Sequence, residues 1–527
     1  MRSLDFQRFL LEKQPSRREL VSYVPTSEKT IRIGVYRNHS FEFVEHTIGA
    51  YLDFAGLRAS FSYSDYDDSL SFLNFDPSVD VALLWLDLSR YKHIDLQRFL
   101  QERIDSLKET FRKPILFVGV CGSVSINGVL QVDLTDIQAQ LGDAFLDDRM
   151  ADAKGTRLGA KALAFIAKTL GLRYIPALTL PTLKAIVVDL DNTLYKGVLG
   201  EDGAERLILT EGHKRLQTIL QKKAQEGWFL CALSKNDERD VEDLWKKRPD
   251  FPLQRNDFTV VSASWEEKSS GMEKILKTLN IGPDSVLFID DNMGELASME
   301  MALPKVRLLQ ALDDADLTAD MLSYYPGLLK TDLKAEDVIR KADTQANAMR
   351  QELQNNLSKE DYVRSLQMKI VYNVDAEQYA PRISELANKT NQFIFAYRRY
   401  GQEDVLSLMR DKDAVVISAV LSDKLSDSGT VAVCVGKKDG DVLRLEECFV
   451  SCRALGRGID EVLILGMIRL AAETLHTNRL SVSFVKGERN VPAEKFVNER
   501  LAQYIEHPAP MDLAFDPSAV EIQINRG

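Results

Sequence analysis

Short apolar runs alternate with amphipathic stretches through the first part of the chain. Ile31-Arg32-Ile33-Gly34-Val35, Val79-Asp80-Val81-Ala82-Leu83-Leu84-Trp85-Leu86 and Pro114-Ile115-Leu116-Phe117-Val118-Gly119-Val120 read as strands, and Leu96 to Phe111 carries helical spacing. Short strands of this kind are buried on both faces, so a parallel sheet covered by helices is expected. The pattern repeats with Ala185 to Val188, Gly227 to Leu233 and Ser285 to Ile289 as strands and one helix over His213 to Glu226. A charged stretch, Leu333 to Leu357, has helical spacing with no Gly or Pro and reads as a linker helix. Beyond it the character changes. Met368 to Tyr372, Ala414 to Leu421, Thr430 to Val435 and Val442 to Val450 read as strands separated by polar turns, and an Asp439-Gly440 pair suits a tight antiparallel hairpin. An apolar helix from Ile459 to Leu475 follows.

At ~100–200 residues per domain, a chain of 527 residues should hold about three. The boundaries suggested are an N-terminal α/β domain over 1–177, a central α/β domain over 182–325, the linker helix over 326–365 and an α+β domain over 366–527; Pro176 and Pro181 bracket the first connector. A composition 45% hydrophobic and 28% charged suits a folded core throughout. No apolar run is long enough to cross a bilayer and the first residues lack the order of a signal peptide, so no membrane and a cytoplasmic location are expected. A net charge of −12 argues against nucleic acid as the main partner. Cys121, Cys231, Cys434, Cys448 and Cys452 show no metal-ligand spacing and are expected as free thiols.

The chemistry concentrates where the central strands end. Asp189 and Asp191, two apart after an apolar strand, point the same way in an extended chain and can face one pocket. The second strand ends in Ser234-Lys235-Asn236, Lys268 follows, and the third strand ends in Asp290-Asp291-Asn292. A carboxylate can attack phosphorus, a protonated one can serve the leaving oxygen, Mg²⁺ prefers carboxylate and phosphate oxygens, and lysine offsets phosphoryl charge. This ordered set resembles the haloacid dehalogenase (HAD) superfamily and implies a Rossmannoid domain. The resemblance implies Asp189 as nucleophile and Asp191 as general acid/base. Ser234, Lys235, Asn236 and Lys268 would then be phosphate-binding, with Mg²⁺ held by Asp189, Asp191, Asp290 and Asp291.

In the N-terminal region the order is loosely that of an SGNH hydrolase. Ser40 follows the first strand, Asp147 to Asp152 supplies no histidine, and His39 and His46 read as surface polar groups, so a non-catalytic docking domain is expected. In the last region Ser451-Cys452-Arg453-Ala454-Leu455-Gly456-Arg457-Gly458 leads from a strand into a helix and resembles the pyrophosphate loop of GNAT acyltransferases. With Asp189 to Val198, Ser234 to Asp237, Asp290 to Asn292 and Asn388-Lys389-Thr390-Asn391-Gln392-Phe393, the set resembles the FkbH-like family, which joins SGNH-like, HAD and GNAT-like regions. That resemblance implies transfer of a glyceryl unit from 1,3-bisphosphoglycerate to the phosphopantetheine thiol of an acyl carrier protein. Arg453, Gly456, Arg457 and Gly458 would hold phosphopantetheine. Cys452, beside two arginines, is the candidate covalent carrier and Cys231 its rival. Tyr195-Lys196 departs from the family's Trp-Gly. The alternatives are a phosphatase acting on a small phosphoester and a non-catalytic scaffold for a carrier protein.

Overall fold

The computed structural model describes residues 2–13, 15–66, 70–72, 74–330, 346, 350, 353–354, 357–451, 453–455, 457–487, 490–505 and 507–526. Most of the expected linker helix, together with Cys452 and Gly456, lies outside them. Among the described residues no helix is long and apolar enough to cross a membrane. The chain divides into two compact units, residues 1–271 with 283–333 and residues 272–282 with 334–527.

The first unit carries two all-parallel sheets. One contains β1 (Thr30–Arg37), β2 (Arg58–Tyr63), β3 (Val81–Asp87), β4 (Ile115–Val120) and β5 (Leu130–Gln131) in the order β2-β1-β3-β4-β5. β3 is buried at every position, as a doubly covered strand should be. β2 was not legible in the sequence because its alternation is shallow, half-buried against exposed. His39 corrects the reading of a surface histidine. Its ring stacks on Trp85 at 4.8 Å, Nδ1 bonds Thr156 at 2.9 Å, and burial drives the imidazole down to about 3, which keeps it neutral. Ser40 Oγ donates to Glu42 at 2.6 Å.

The second sheet contains β6 (Ala185–Val188), β7 (Phe229–Ser234), β8 (Val260–Ala263), β9 (Val286–Asp290) and β10 (Arg307–Gln310) in the order β10-β9-β6-β7-β8. The chain runs outward from β6 to β8 on one side, then returns to β9 on the other. β6 and β9 therefore flank the switch point, where doubly wound sheets form a crevice at the carboxyl ends. One continuous apolar core runs through both sheets of this unit. The N-terminal helix Arg2–Gln7 covers the β10 edge: Gln7 Nε2 donates to the Gln310 carbonyl and Gln310 N–H donates to Gln7 Oε1, both at 3.4 Å. Pairing both groups of an edge residue blunts the edge against stray strands.

The second unit holds a seven-stranded mixed sheet, β11 (Lys369–Val374), β12 (Ala414–Ser422), β13 (Asp427–Asp439), β14 (Val442–Val450), β15 (Arg479–Val482), β16 (Ala509–Pro510) and β17 (Glu521–Arg526), in the order β16-β15-β14-β13-β12-β11-β17. β13 and β14 are antiparallel neighbours, with Gly440 at φ +61° in the turn. The helix Asp460–Leu475 connects β14 to a parallel β15, but those strands pair only from Val442 to Leu445. Beyond that, the Phe395 N–H donates to the Cys448 carbonyl and the Val450 N–H to the Phe393 carbonyl. Buried Glu447 fixes this insertion by accepting N–H bonds from Phe395, Ala396, Arg398 and Cys448.

Candidate active site

The site assembles at the carboxyl ends of β6, β7 and β9. All four residues of β6 are buried, so the strand is rigid up to Asp189, whose N–H donates to the Ile289 carbonyl at 2.9 Å. β9 ends in Asp290, with no exposed surface, and Asp291 follows. One carboxylate oxygen from each of Asp189, Asp290 and Asp291 lies within 4.8 Å of the others. Lys268, opening the helix Lys268–Leu279, places its ammonium 2.9 Å from Asp189 Oδ1 and 2.6 Å from Asp290 Oδ2.

Electrostatics follow from this crowding. Burial raises the Asp189 carboxyl above the ordinary carboxylate range against the opposing pull of Lys268, and burial does the same to Asp290. Asp291 is also raised, first by burial and then by Asp290. Burial acts to lower Lys268, but Asp189 and Asp290 outweigh it and the ammonium is held up. Three negative groups thus share one lysine, an arrangement that attracts a further cation. Hard carboxylate oxygens at this spacing suit Mg²⁺. Asp189, Asp290 and Asp291 would hold it.

Asp191 takes another place. It was expected among the metal ligands, but its carboxylate lies outside that cluster because a fixed turn claims both oxygens. Oδ1 accepts from Tyr195 Oη at 2.8 Å and the Leu199 N–H at 2.9 Å, while Oδ2 accepts from Asn236 Nδ2 at 2.8 Å. Asn192 sets the turn with φ +51°, a conformation Asn tolerates, and its Oδ1 accepts the Gly197 N–H at 3.0 Å. Ser234 is buried at the tip of β7 and accepts from Asn236 Nδ2 at 2.9 Å. Asn236, expected to bind phosphate, therefore ties Asp191 to Ser234. Lys235 is drawn off into an ion pair with Glu295 at 2.6 Å.

Sequence reasoning missed Tyr195 as a functional side chain, although it stood out as a departure from the family pattern. It is fully buried and holds the acid/base candidate; burial and the neighbouring Asp191 push its phenol well up.

The residues expected to serve acyl transfer are less well presented. Arg457 is buried and committed to Asp423 at 3.0 Å and Ser428 at 2.7 Å, and Arg350 shares Asp423 at 2.8 Å. It was expected to face phosphopantetheine; instead its guanidinium completes a buried ion network. Arg453 is also buried, and Gly458 turns the chain into the helix at φ +77°. Cys452 and Gly456 lie outside the described residues. Cys231 sits in the fully buried β7, and burial pushes its thiol up to about 12, so it offers little thiolate.

No family model matches this chain, and none of the curated proteins matches it. Among solved structures, it is similar to the N-terminal part of BF1531 from Bacteroides fragilis, described as containing a phosphatase domain complexed with Mg. That likeness has 19% identity over 62% of this chain and 98% of that one, with a TM-score of 0.47. A Streptomyces avermitilis protein named for the HAD hydrolase family is similar over 28% of this chain and 92% of its own, at 15% identity and a TM-score of 0.21. A ribosomal-protein-alanine N-acetyltransferase from Brucella melitensis is similar over 28% of this chain and 96% of its own, at 16% identity and a TM-score of 0.20.

Proposed function

We propose that the central site is a HAD-type, Mg²⁺-dependent phosphohydrolase centre within an enzyme that converts 1,3-bisphosphoglycerate into a glyceryl thioester on an acyl carrier protein. The observation that carries the hydrolytic part is the convergence of Asp189, Asp290, Asp291 and Lys268 at one sheet's carboxyl edge. Asp189 attacks phosphorus of the phosphoester, the P–O bond to the glyceryl oxygen breaks, and an aspartyl phosphate forms. Asp191, held by Tyr195 and Asn236, delivers a proton to the departing oxygen. It then takes a proton from the water that attacks the aspartyl phosphate, which releases inorganic phosphate and restores Asp189. Lys268 and Ser234 orient the phosphoryl oxygens. Bound Mg²⁺ would supply charge neutralisation of the phosphoryl group.

The acyl part is a separate step: a thiolate attacks the acyl-phosphate carbon, the C–O bond breaks and phosphate leaves. Its support is the family resemblance of the loop around Cys452. The burial of Cys231 and the commitment of Arg457 favour a second reading, a phosphatase on a small phosphoester that works without a carrier.

Intact mass spectrometry after incubation with 1,3-bisphosphoglycerate, Mg²⁺ and a phosphopantetheinylated carrier separates the two. One glyceryl unit on the carrier, and on the enzyme but not on Cys452→Ala, supports transfer; phosphate release at the same rate without carrier and with no adduct supports the phosphatase. Asp189→Asn abolishes release of the phosphoester phosphate in either case, and full release from that position by the variant overturns both.

A further inference from the structure

A cavity of about 320 Å³ lies among the helices Arg17–Ser22, Glu42–Phe54 and Ala160–Thr169, and none of its lining residues belongs to the carboxylate site. Its wall is apolar, built from side chains such as Leu20, Phe43, Leu163 and Phe165. Three cations also line it. The Arg17 guanidinium lies 5.2 Å over the Phe43 ring, Lys161 is exposed, and the Lys168 ammonium lies 4.1 Å over the Tyr324 ring. Among the described residues neither Arg17 nor Lys161 forms an ion pair, while Lys168 feels the charge of the Asp320 carboxylate. A fourth cation, Lys154, is already paired with Asp147 at 3.3 Å. In a chain of net charge −12, a cavity lined by Arg17, Lys154, Lys161 and Lys168 with no acidic residue among its lining is a local inversion of the overall balance.

Tyr51 adds an independent sign. Its side chain lines the cavity, is only 5% exposed and brings a phenol hydroxyl to the apolar wall. A ligand with an apolar body and an anionic end matches both the apolar wall and the cations that line it. At the ~30 Å³ that a water occupies in the liquid, the space equals about ten such units, the scale of a medium-length alkyl chain.

We propose that this cavity binds a single-chain amphiphile with an anionic head. The chain lies along the apolar wall, the head meets Arg17, Lys161 and Lys168, and Tyr51 donates a hydrogen bond to the ligand. The site is independent of the phosphohydrolase reading.

Isothermal titration calorimetry of the full chain with decanoate, decyl phosphate and decanol, each below its micelle concentration, tests it. Both anions are expected to bind at least tenfold more tightly than decanol, with one-to-one stoichiometry. The tighter of the two identifies the head group as carboxylate or phosphate. Ala164→Trp fills the cavity and is expected to remove binding. Lys161→Glu, at an exposed helix position, keeps the fold and is expected to weaken both anions about fivefold with decanol unchanged. Equal affinity for decanol and the anions, no binding by the wild type, or Lys161→Glu binding the anions like the wild type overturns the proposal.

Discussion

Replacing Lys268 by Met is the most direct probe of the electrostatics at the β6–β9 crevice. Its ammonium is 2.9 Å from Asp189 and 2.6 Å from Asp290, with all three side chains no more than 6% exposed. At an effective dielectric of ~20, each contact is worth a gross attraction of about 6 kcal/mol, and desolvation of the ammonium takes back much of it. Removing one partner of such a buried set costs ~3–5 kcal/mol, because the carboxylates left behind are uncompensated. For a unit of this size, at roughly 2 °C per kcal/mol, the melting temperature should fall by ~6–10 °C. The assay is thermal unfolding at pH 7.5 in chelator, repeated across a Mg²⁺ titration. Mg²⁺ should stabilise the variant more than the wild type, since a cation at free concentration c that binds only the folded state adds stability as RT ln(1 + c/Kd), and the uncompensated carboxylates lower that Kd. A variant that melts with the wild type in chelator, or that gains no more from Mg²⁺ than the wild type does, refutes the reasoning.

Tyr195→Phe removes a hydrogen bond to the Asp191 carboxylate while conserving the buried ring; a bond to a charged group is worth ~1.5–3 kcal/mol, so steady-state phosphate release should show kcat down about tenfold or more with KM nearly unchanged. Asp375 is raised by burial to about 6, so its neutral form is favoured in the fold: its contribution is complete below the unfolded value near 3.8 and is lost as pH rises through about 6. Urea midpoints measured from pH 4 to 7 should therefore fall less steeply in Asp375→Asn, which also suits the residue's positive φ of 48°. Cys231, pushed up to about 12, should stay unlabelled by iodoacetamide at pH 8 until the chain is unfolded, as peptide mapping would show.

The order of elements and much of the site could be read from sequence because they rest on local pattern. Uninterrupted apolar runs mark strands buried on both faces, as β3, β6 and β9 are, and the polar residue that ends such a run must lie at the sheet's edge. Asp189, Ser234 and Asp290 were found in this way. β5 and β16 are only two residues long, and β2 alternates too weakly, to give the same signal.

Partner choice was decided only in three dimensions. Nothing in the spacing says that Asp191 gives its oxygens to Tyr195, Leu199 and Asn236 while Asp189 meets Asp290 and Asp291 across more than 90 residues of chain. Nor does it say that Arg457 turns inward to Asp423 or that His39 is shelved on Trp85. Which side chains stand at strand ends follows from neighbouring residues alone, because period and apolar run length are local properties. Which of those charges neutralise one another depends on desolvation and distance, and both exist only once the sheets have closed.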